Sequence, residues 1–63
     1  MDKIYELSRD GKPYLVVGAK NIRDLYEKKD LYTKENIGIK VRELSVKEFN
    51  KEYGWIAKPI KEN

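Results

Sequence analysis

Polar and apolar residues alternate along the first part of the chain, on both sides of Asp10-Gly11. This dipeptide is a strong hairpin signal, because both central residues of a type I′ turn need positive φ. The pattern therefore predicts a β-hairpin over residues 3–17. Closure by two residues would pair Arg9 with Lys12 and set the faces of both strands. The predicted core face consists of Tyr5, Leu7, Tyr14 and Val16, with Glu6 and Leu15 on the opposite face.

After Gly18 the spacing of apolar residues changes from that of a strand to that of a helix. Apolar side chains recur at i, i+3 and i+4 in Ile22, Leu25 and Tyr26. Asn21 is a suitable N-cap, since its side chain can accept a hydrogen bond from a free N–H of the first turn. A helix is therefore predicted at about residues 20–29.

Residues 30–44 fit two different patterns. The β-branched Ile37, Ile39 and Val41 alternate with Gly38, Lys40 and Arg42, which favours a strand at 37–43. Helical spacing is also present, in Ile37, Val41 and Leu44, with Thr33 as a suitable N-cap. We favour the strand, because Gly38 and the β-branched residues lower the helix propensity of this segment.

Ser45 and Glu48 have the spacing of a capping box, which predicts a helix at 46–53. Gly54 would end this helix in the left-handed conformation. Together the elements predict a single α+β domain over residues 1–63 with the order ββαβα. In this fold the β-hairpin and a third antiparallel strand form a sheet covered by two helices. The alternative is a hairpin with a helix-turn-helix.

The composition narrows the possible chemistry. The 63 residues include neither Cys nor His, which excludes disulfides, thiol nucleophiles, ordinary zinc sites and the histidine base of hydrolytic triads. Ser8, Thr33 and Ser45 have no base partner recognisable in the sequence. We therefore expect a protein that is not an enzyme and that uses no cofactor or metal.

The length of the apolar runs and the pattern of charged residues predict where the protein is located and what it binds. The longest apolar run, Leu15–Ala19, is far shorter than the ~20 residues of a membrane span, so we expect a cytoplasmic protein without membrane contact. Lysine and arginine number 14 against 11 acids, a net charge of +3, and the two signs are interleaved. This interleaving favours a protein or nucleoprotein partner, with direct nucleic-acid binding as the alternative. The sequence leaves the oligomeric state open.

Basic and aromatic residues near the turns and element ends are the candidates for contacting a partner. Trp, Tyr and Arg dominate interface hot spots, and the tip of the predicted hairpin projects from the body. The candidate partner-binding residues are Arg9, Lys12, Tyr32, Lys34, Asn36, Lys40, Arg42, Tyr53, Trp55 and Lys58. Trp55 has two interpretations: it closes the core, or it anchors a partner.

The hairpin, the Gly18-Ala19 break and the Ile22–Tyr26 segment together resemble the hairpin-plus-helix-turn-helix modules of phages and mobile elements. The resemblance covers about residues 3–42 and implies that a recognition helix follows, beginning near Thr33. It also implies that DNA bases or phosphates are contacted by Lys34, Asn36 and Lys40. Residues 29–32, between the two helices, depart from the family because they lack glycine.

In size and style the chain is also similar to the small accessory proteins that phages direct against host machinery, anti-CRISPR proteins among them. This similarity implies a non-enzymatic protein, encoded by a phage or mobile element, that works by stoichiometric binding in the bacterial cytoplasm. Its expected action is to inhibit or regulate a host protein or nucleoprotein, such as a CRISPR effector. The alternative function is sequence-specific DNA binding through a helix-turn-helix.

Overall fold

The computed structural model describes residues 2–56, which form a three-stranded antiparallel sheet and two α-helices. The elements in chain order are β1 (Lys3–Arg9), β2 (Lys12–Ala19), α1 (Ile22–Lys28), a 3₁₀ turn (Lys34–Asn36), β3 (Ile39–Leu44) and α2 (Val46–Tyr53). The strands lie in the order β2-β1-β3. The predicted ββαβα fold is confirmed. The helix-turn-helix alternative is wrong, because residues 39–44 pair with β1 instead of continuing a helix.

The β1–β2 turn has the predicted conformation, but the register beyond it differs from the prediction. Asp10 and Gly11 both have positive φ, 54° and 77°, and Arg9 pairs with Lys12. Two residues further from the turn, Leu7 of β1 pairs with Leu15 of β2. The sequence had predicted Tyr14 as its partner.

A β-bulge causes this shift. The register changes between Leu7 and Ser8, which leaves Tyr14 as the additional residue of β2. Pro13 pairs with Ser8 directly before the bulge, and within sheets proline is typical of edge strands and bulges. A shift of one residue moves side chains to the other face. The predicted core positions Tyr14 and Val16 are therefore wrong, and Leu15 takes a place against the core.

One face of the sheet packs against α1 and the segment after it. The buried cluster on this face consists of Tyr5, Leu7, Ala19, Leu25 and Leu31. α1 begins where the sequence predicts a cap, since the side chain of Asn21 accepts from the N–H of Asp24 at 2.8 Å. The helix ends at Lys28.

The opposite face of the sheet is covered by α2. Side chains alternate along a strand, so Glu6 points away from the core that Tyr5 and Leu7 enter. On this opposite face the Glu6 side chain is also buried, and it is contacted by Tyr53 of α2. The two helices therefore cover opposite faces, with β1 in the middle of the sheet.

α2 has the predicted start and length. The capping box is complete, with the Glu48 N–H donating to Ser45 Oγ at 3.0 Å and the Ser45 N–H donating to Glu48 Oε1 at 3.1 Å. The left-handed terminator is wrong, because Gly54 has φ −63°. A Cβ at this position would instead collide with the carbonyl oxygen of Asn50, so close packing is what requires glycine here.

Candidate partner-binding surface

The hairpin tip, the 3₁₀ turn and the start of β3 meet at one end of the sheet. Arg9 pairs with Lys12 on one side and with Ile39 on the other. The Arg9 guanidinium also donates to the carbonyl oxygen of Glu35 at 3.3 Å. We call the exposed residues gathered at this end the hairpin-tip surface: Arg9, Lys12, Tyr14, Lys34, Ile37 and Lys40.

The basic residues of the hairpin-tip surface keep their charge available. Among residues 2–56, the cations that form ion pairs are Lys3, Lys28 and Arg42, all outside this surface. The nearby acids are Asp10 in the turn and Glu35 in the 3₁₀ turn. Unpaired surface cations attract an acidic partner over about 8 Å at physiological salt. Four cations against two acids leave this end of the molecule positive.

Apolar side chains accompany these charges. Tyr14 is 53% exposed and Ile37 is 77% exposed. Tyr14 also lines an open cavity of about 450 Å³ together with Arg9, Asp10 and Lys12. Exposed aromatic and guanidinium groups around a concave surface are typical of interface anchors. The end of the sheet thus offers both charge and apolar contact area.

Asn36, a predicted partner-binding residue, has its amide engaged within the chain. Its Nδ2 donates to the carbonyl oxygen of Asp30 at 2.9 Å and to Thr33 Oγ1 at 3.1 Å, while Oδ1 accepts from Arg9 at 3.5 Å. Asp30 has a positive φ of 54°, an unfavourable backbone for most residues. The Asn36 side chain therefore holds the loop that presents Lys34.

This loop also explains why the predicted strand starts too early. Ile37 N–H donates to the carbonyl oxygen of Lys34, which makes Ile37 the end of the 3₁₀ turn. β3 consequently begins at Ile39. The alternation of β-branched residues marked the strand correctly from Ile39 onwards, but the side chain of Ile37 projects into solvent.

Arg42 and Tyr53, two further candidates, belong to a polar cluster between the sheet and α2. Arg42 Nη2 lies 3.2 Å from Glu6 Oε2 and 3.0 Å from Glu52 Oε2. The Tyr53 hydroxyl donates to the same oxygen of Glu6. This hydrogen bond raises the pKa of Tyr53 to about 12, because ionisation would place two anions in contact. The cluster holds α2 on the sheet.

The remaining candidates lie away from the hairpin tip. Tyr32 is 68% exposed, with its ring 5.2 Å from that of Tyr26. Trp55 is 81% exposed, and its indole N–H donates to the carbonyl oxygen of Glu52 at 2.9 Å. Of its two interpretations, closing the core is therefore wrong. Lys58 lies outside the described residues.

Sequence reasoning missed Tyr14 and Ile37 as members of the surface, because the strand pattern placed Tyr14 on the core face and Ile37 in the third strand. For Tyr14 the available signal was the preceding Pro13, since proline within a strand is typical of edge strands and bulges. Ile37 lies outside β3 because its N–H donates to the carbonyl oxygen of Lys34 in the 3₁₀ turn, and the alternation of Ile37, Ile39 and Val41 does not indicate this turn.

Comparison of this chain with protein-family models, with curated proteins and with solved structures found no match. Within residues 2–56, neither helix has the length and apolar character needed to cross a bilayer.

Proposed function

We propose that this chain is a small non-enzymatic binding protein that acts stoichiometrically on a larger protein or nucleoprotein, and that the hairpin-tip surface makes the contact. The observation that carries the proposal is that one end of the sheet holds four cations without an ion pair among the described residues and also exposes Tyr14 and Ile37. Among the candidate residues, Arg9, Lys12, Lys34 and Lys40 lie at this end of the sheet and come from three separate parts of the chain: the hairpin tip, the 3₁₀ turn and the start of β3. Positive charge would steer an acidic partner, and the apolar side chains would supply contact area.

We also propose a class of partner and an origin for this chain. By its size and composition the chain is similar to small phage proteins that occupy a site on host machinery, so we propose a phage or mobile-element origin and inhibition or regulation of a host complex. Stoichiometric action is supported by the sequence, which lacks histidine and cysteine. The buried carboxylate of Glu6 is also engaged in holding α2 rather than facing a cavity.

Direct nucleic-acid binding is the second candidate, and the same unpaired cations favour it. A recognition helix has no counterpart in residues 33–44, where the structure has one 3₁₀ turn and a strand. Nucleic acid would then be held through its phosphates, which carry no sequence information directly.

Affinity capture from bacterial lysate tests the proposal when three baits are compared. The first bait is the parent chain. The second is the hairpin-tip double variant Lys34→Glu/Lys40→Glu, and the third is a control double variant, Arg23→Glu/Lys47→Glu. The control has the same net charge as the variant and places acids in the first turns of the two helices, where they are tolerated. We expect the parent and the control to capture the same protein, with and without nuclease, and the hairpin-tip variant to lose it.

The captured protein is then purified and titrated with the parent chain. Saturation at a simple molar ratio is expected. Equal capture by all three baits would show that the hairpin-tip surface is not the contact, and turnover of excess target by trace amounts of the chain would show that the action is not stoichiometric.

A further inference from the structure

Among residues 2–56, nothing covers the outer edge of β2. The order β2-β1-β3 gives it a strand neighbour on one side only. Within residues 2–56, no backbone hydrogen bond reaches β2 from outside the sheet. An edge strand directs alternate N–H and C=O groups outward, which makes it a template for another strand.

The two edges of the sheet differ in how they are protected. β3 carries Lys40, Arg42 and Glu43 along its length, and charges of this kind discourage strand addition. β2 has no charged residue between Lys12 and Lys20, and it is rich in the β-branched and aliphatic residues that favour strands. Its protection is confined to Pro13 and the bulge near the turn. The unprotected edge is therefore the part of β2 from Leu15 onwards.

A cavity borders this edge on the α2 side. It has a volume of about 200 Å³, and its lining consists of Pro13, Tyr14, Leu15, Val16 and Tyr53. A strand added beside β2 would direct every second side chain to this face. Peptide-binding sheets obtain specificity in this way, with main-chain hydrogen bonds for affinity and pockets for alternate side chains. The cavity suits one apolar side chain of such a strand.

The charges at the ends of β2 indicate what the added strand contains. Neither Lys12 nor Lys20 is in an ion pair among the described residues. The carboxylate of Asp24 accepts from the backbone N–H of Lys20 at 2.9 Å and forms its ion pair with Lys28. Lys12 begins β2 and Lys20 follows its last residue, and because the bulge takes up one residue the two lysines are about seven ladder positions, or about 23 Å, apart. Opposite charges facing each other across strands are favourable. A complementary segment has acids at both ends and an uncharged centre.

We infer that β2 binds an extended, acid-flanked segment of a partner protein by strand addition. This inference rests on the proposed function and names the chemistry of the partner. A second copy of this chain is a poorer occupant, because antiparallel overlap of the two uncharged runs would place Lys12 opposite Lys20 at both ends. Like charges in that arrangement are destabilising.

Nuclear magnetic resonance on the full chain tests this inference with a defined probe. The probe is a nine-residue peptide that has two acidic residues at each end and alternating threonine and valine between them. A matched peptide has lysines in place of the acids. The acidic peptide should shift the amide resonances of β2 and slow hydrogen exchange at alternate residues of β2, while β3 remains unchanged. The lysine peptide should not bind.

Charge reversal of the two lysines supplies the matched variant. Lys12→Glu with Lys20→Glu should weaken binding of the acidic peptide about tenfold, from the sum of cross-strand charge terms. Arg23→Glu with Lys47→Glu carries the same net charge and should bind like the parent. The dispersion of the amide spectrum shows whether each variant is folded, and a folded variant with parent affinity would overturn the inference.

Other occupants of β2 give different results, each of which would overturn the inference. Protection of β2 that rises with protein concentration in the absence of peptide would indicate a second copy. Protection that disappears on removing residues 57–63 would assign the edge to the chain's own end, and shifts of β2 with duplex or RNA would assign it to nucleic acid. Failure of the peptide together with successful capture through Lys34 and Lys40 would reject strand addition while the binding function stands.

Discussion

The hydroxyl of Tyr53 donates a hydrogen bond to the buried carboxylate of Glu6, which joins α2 to the central strand of the sheet. The two residues are 47 positions apart in the chain. Arg42 contacts the same carboxylate and continues to Glu52 of α2. α2 itself contains no fully buried residue, so this polar cluster is a main attachment of the helix.

Removal of the Tyr53 hydroxyl should therefore destabilise the protein. Tyr53→Phe leaves a buried carboxylate with one donor fewer, a loss of about 1–3 kcal/mol in the free energy of unfolding. Urea denaturation measures it. Tyr14→Phe is the control, since this exposed residue should change stability by less than about 0.5 kcal/mol. Equal midpoints for the two variants would show that the hydrogen bond does not stabilise the fold.

The raised pKa of Tyr53 predicts a dependence of stability on alkaline pH. The folded pKa of about 12 lies above the ordinary value of 10.0, so the folded state holds this proton more tightly than the unfolded state. The resulting stabilisation is complete below pH 10 and is lost as the pH rises from 10 to 12. Denaturation midpoints across this range should fall more steeply for the parent than for Tyr53→Phe. Parallel curves would contradict the assignment.

Loss of the cap at α2 should cost a measurable part of the stability. Ser45→Ala removes the acceptor for the Glu48 N–H, and such changes cost about 1 kcal/mol. Ser8→Ala is a matched control, because Ser8 is a strand residue outside the helix caps. Thermal denaturation compares them. An unchanged midpoint for Ser45→Ala would mean that the capping box is not formed in solution.

Substitutions of Asn36 and Lys34 should distinguish a residue that holds the loop in place from a residue that contacts the partner. Asn36→Ala removes the bonds to Asp30 and Thr33, so we expect a loss of about 1–2 kcal/mol in stability and faster hydrogen exchange over residues 30–38. Lys34→Ala should leave stability unchanged and weaken capture of the partner. The reverse result would show that the roles assigned to these two residues are wrong.

The salt dependence of the binding affinity should distinguish a protein partner from duplex DNA. Four phosphate-facing cations would give a slope of about −3.6 for log affinity against log salt, because each neutralised phosphate adds about −0.9. We expect only weak binding to duplex DNA at physiological salt, measured by fluorescence anisotropy between 50 and 200 mM salt. Tight duplex binding in the parent that Lys34→Glu with Lys40→Glu abolishes would favour the nucleic-acid alternative.

The sequence by itself determined the features that depend on neighbouring residues. The Asp10-Gly11 turn, the Asn21 cap and the capping box of Ser45 each involve groups at most three residues apart. Such features are readable because their geometry requires particular side chains, whatever the rest of the chain does. The ββαβα order follows from these signals and the periodicity between them.

The tertiary structure alone decided which side chains point outward and which face each helix covers. Tyr14 left the core because the pairing of β1 with β2 shifts by one residue at the bulge, and Ile37 lies outside β3 because pairing of this strand with β1 starts only at Ile39. The burial of Glu6 depends on Tyr53, far along the chain. Contacts between distant residues carry no periodic signal in the sequence, so the candidate surface became visible only when the strand ends were brought together.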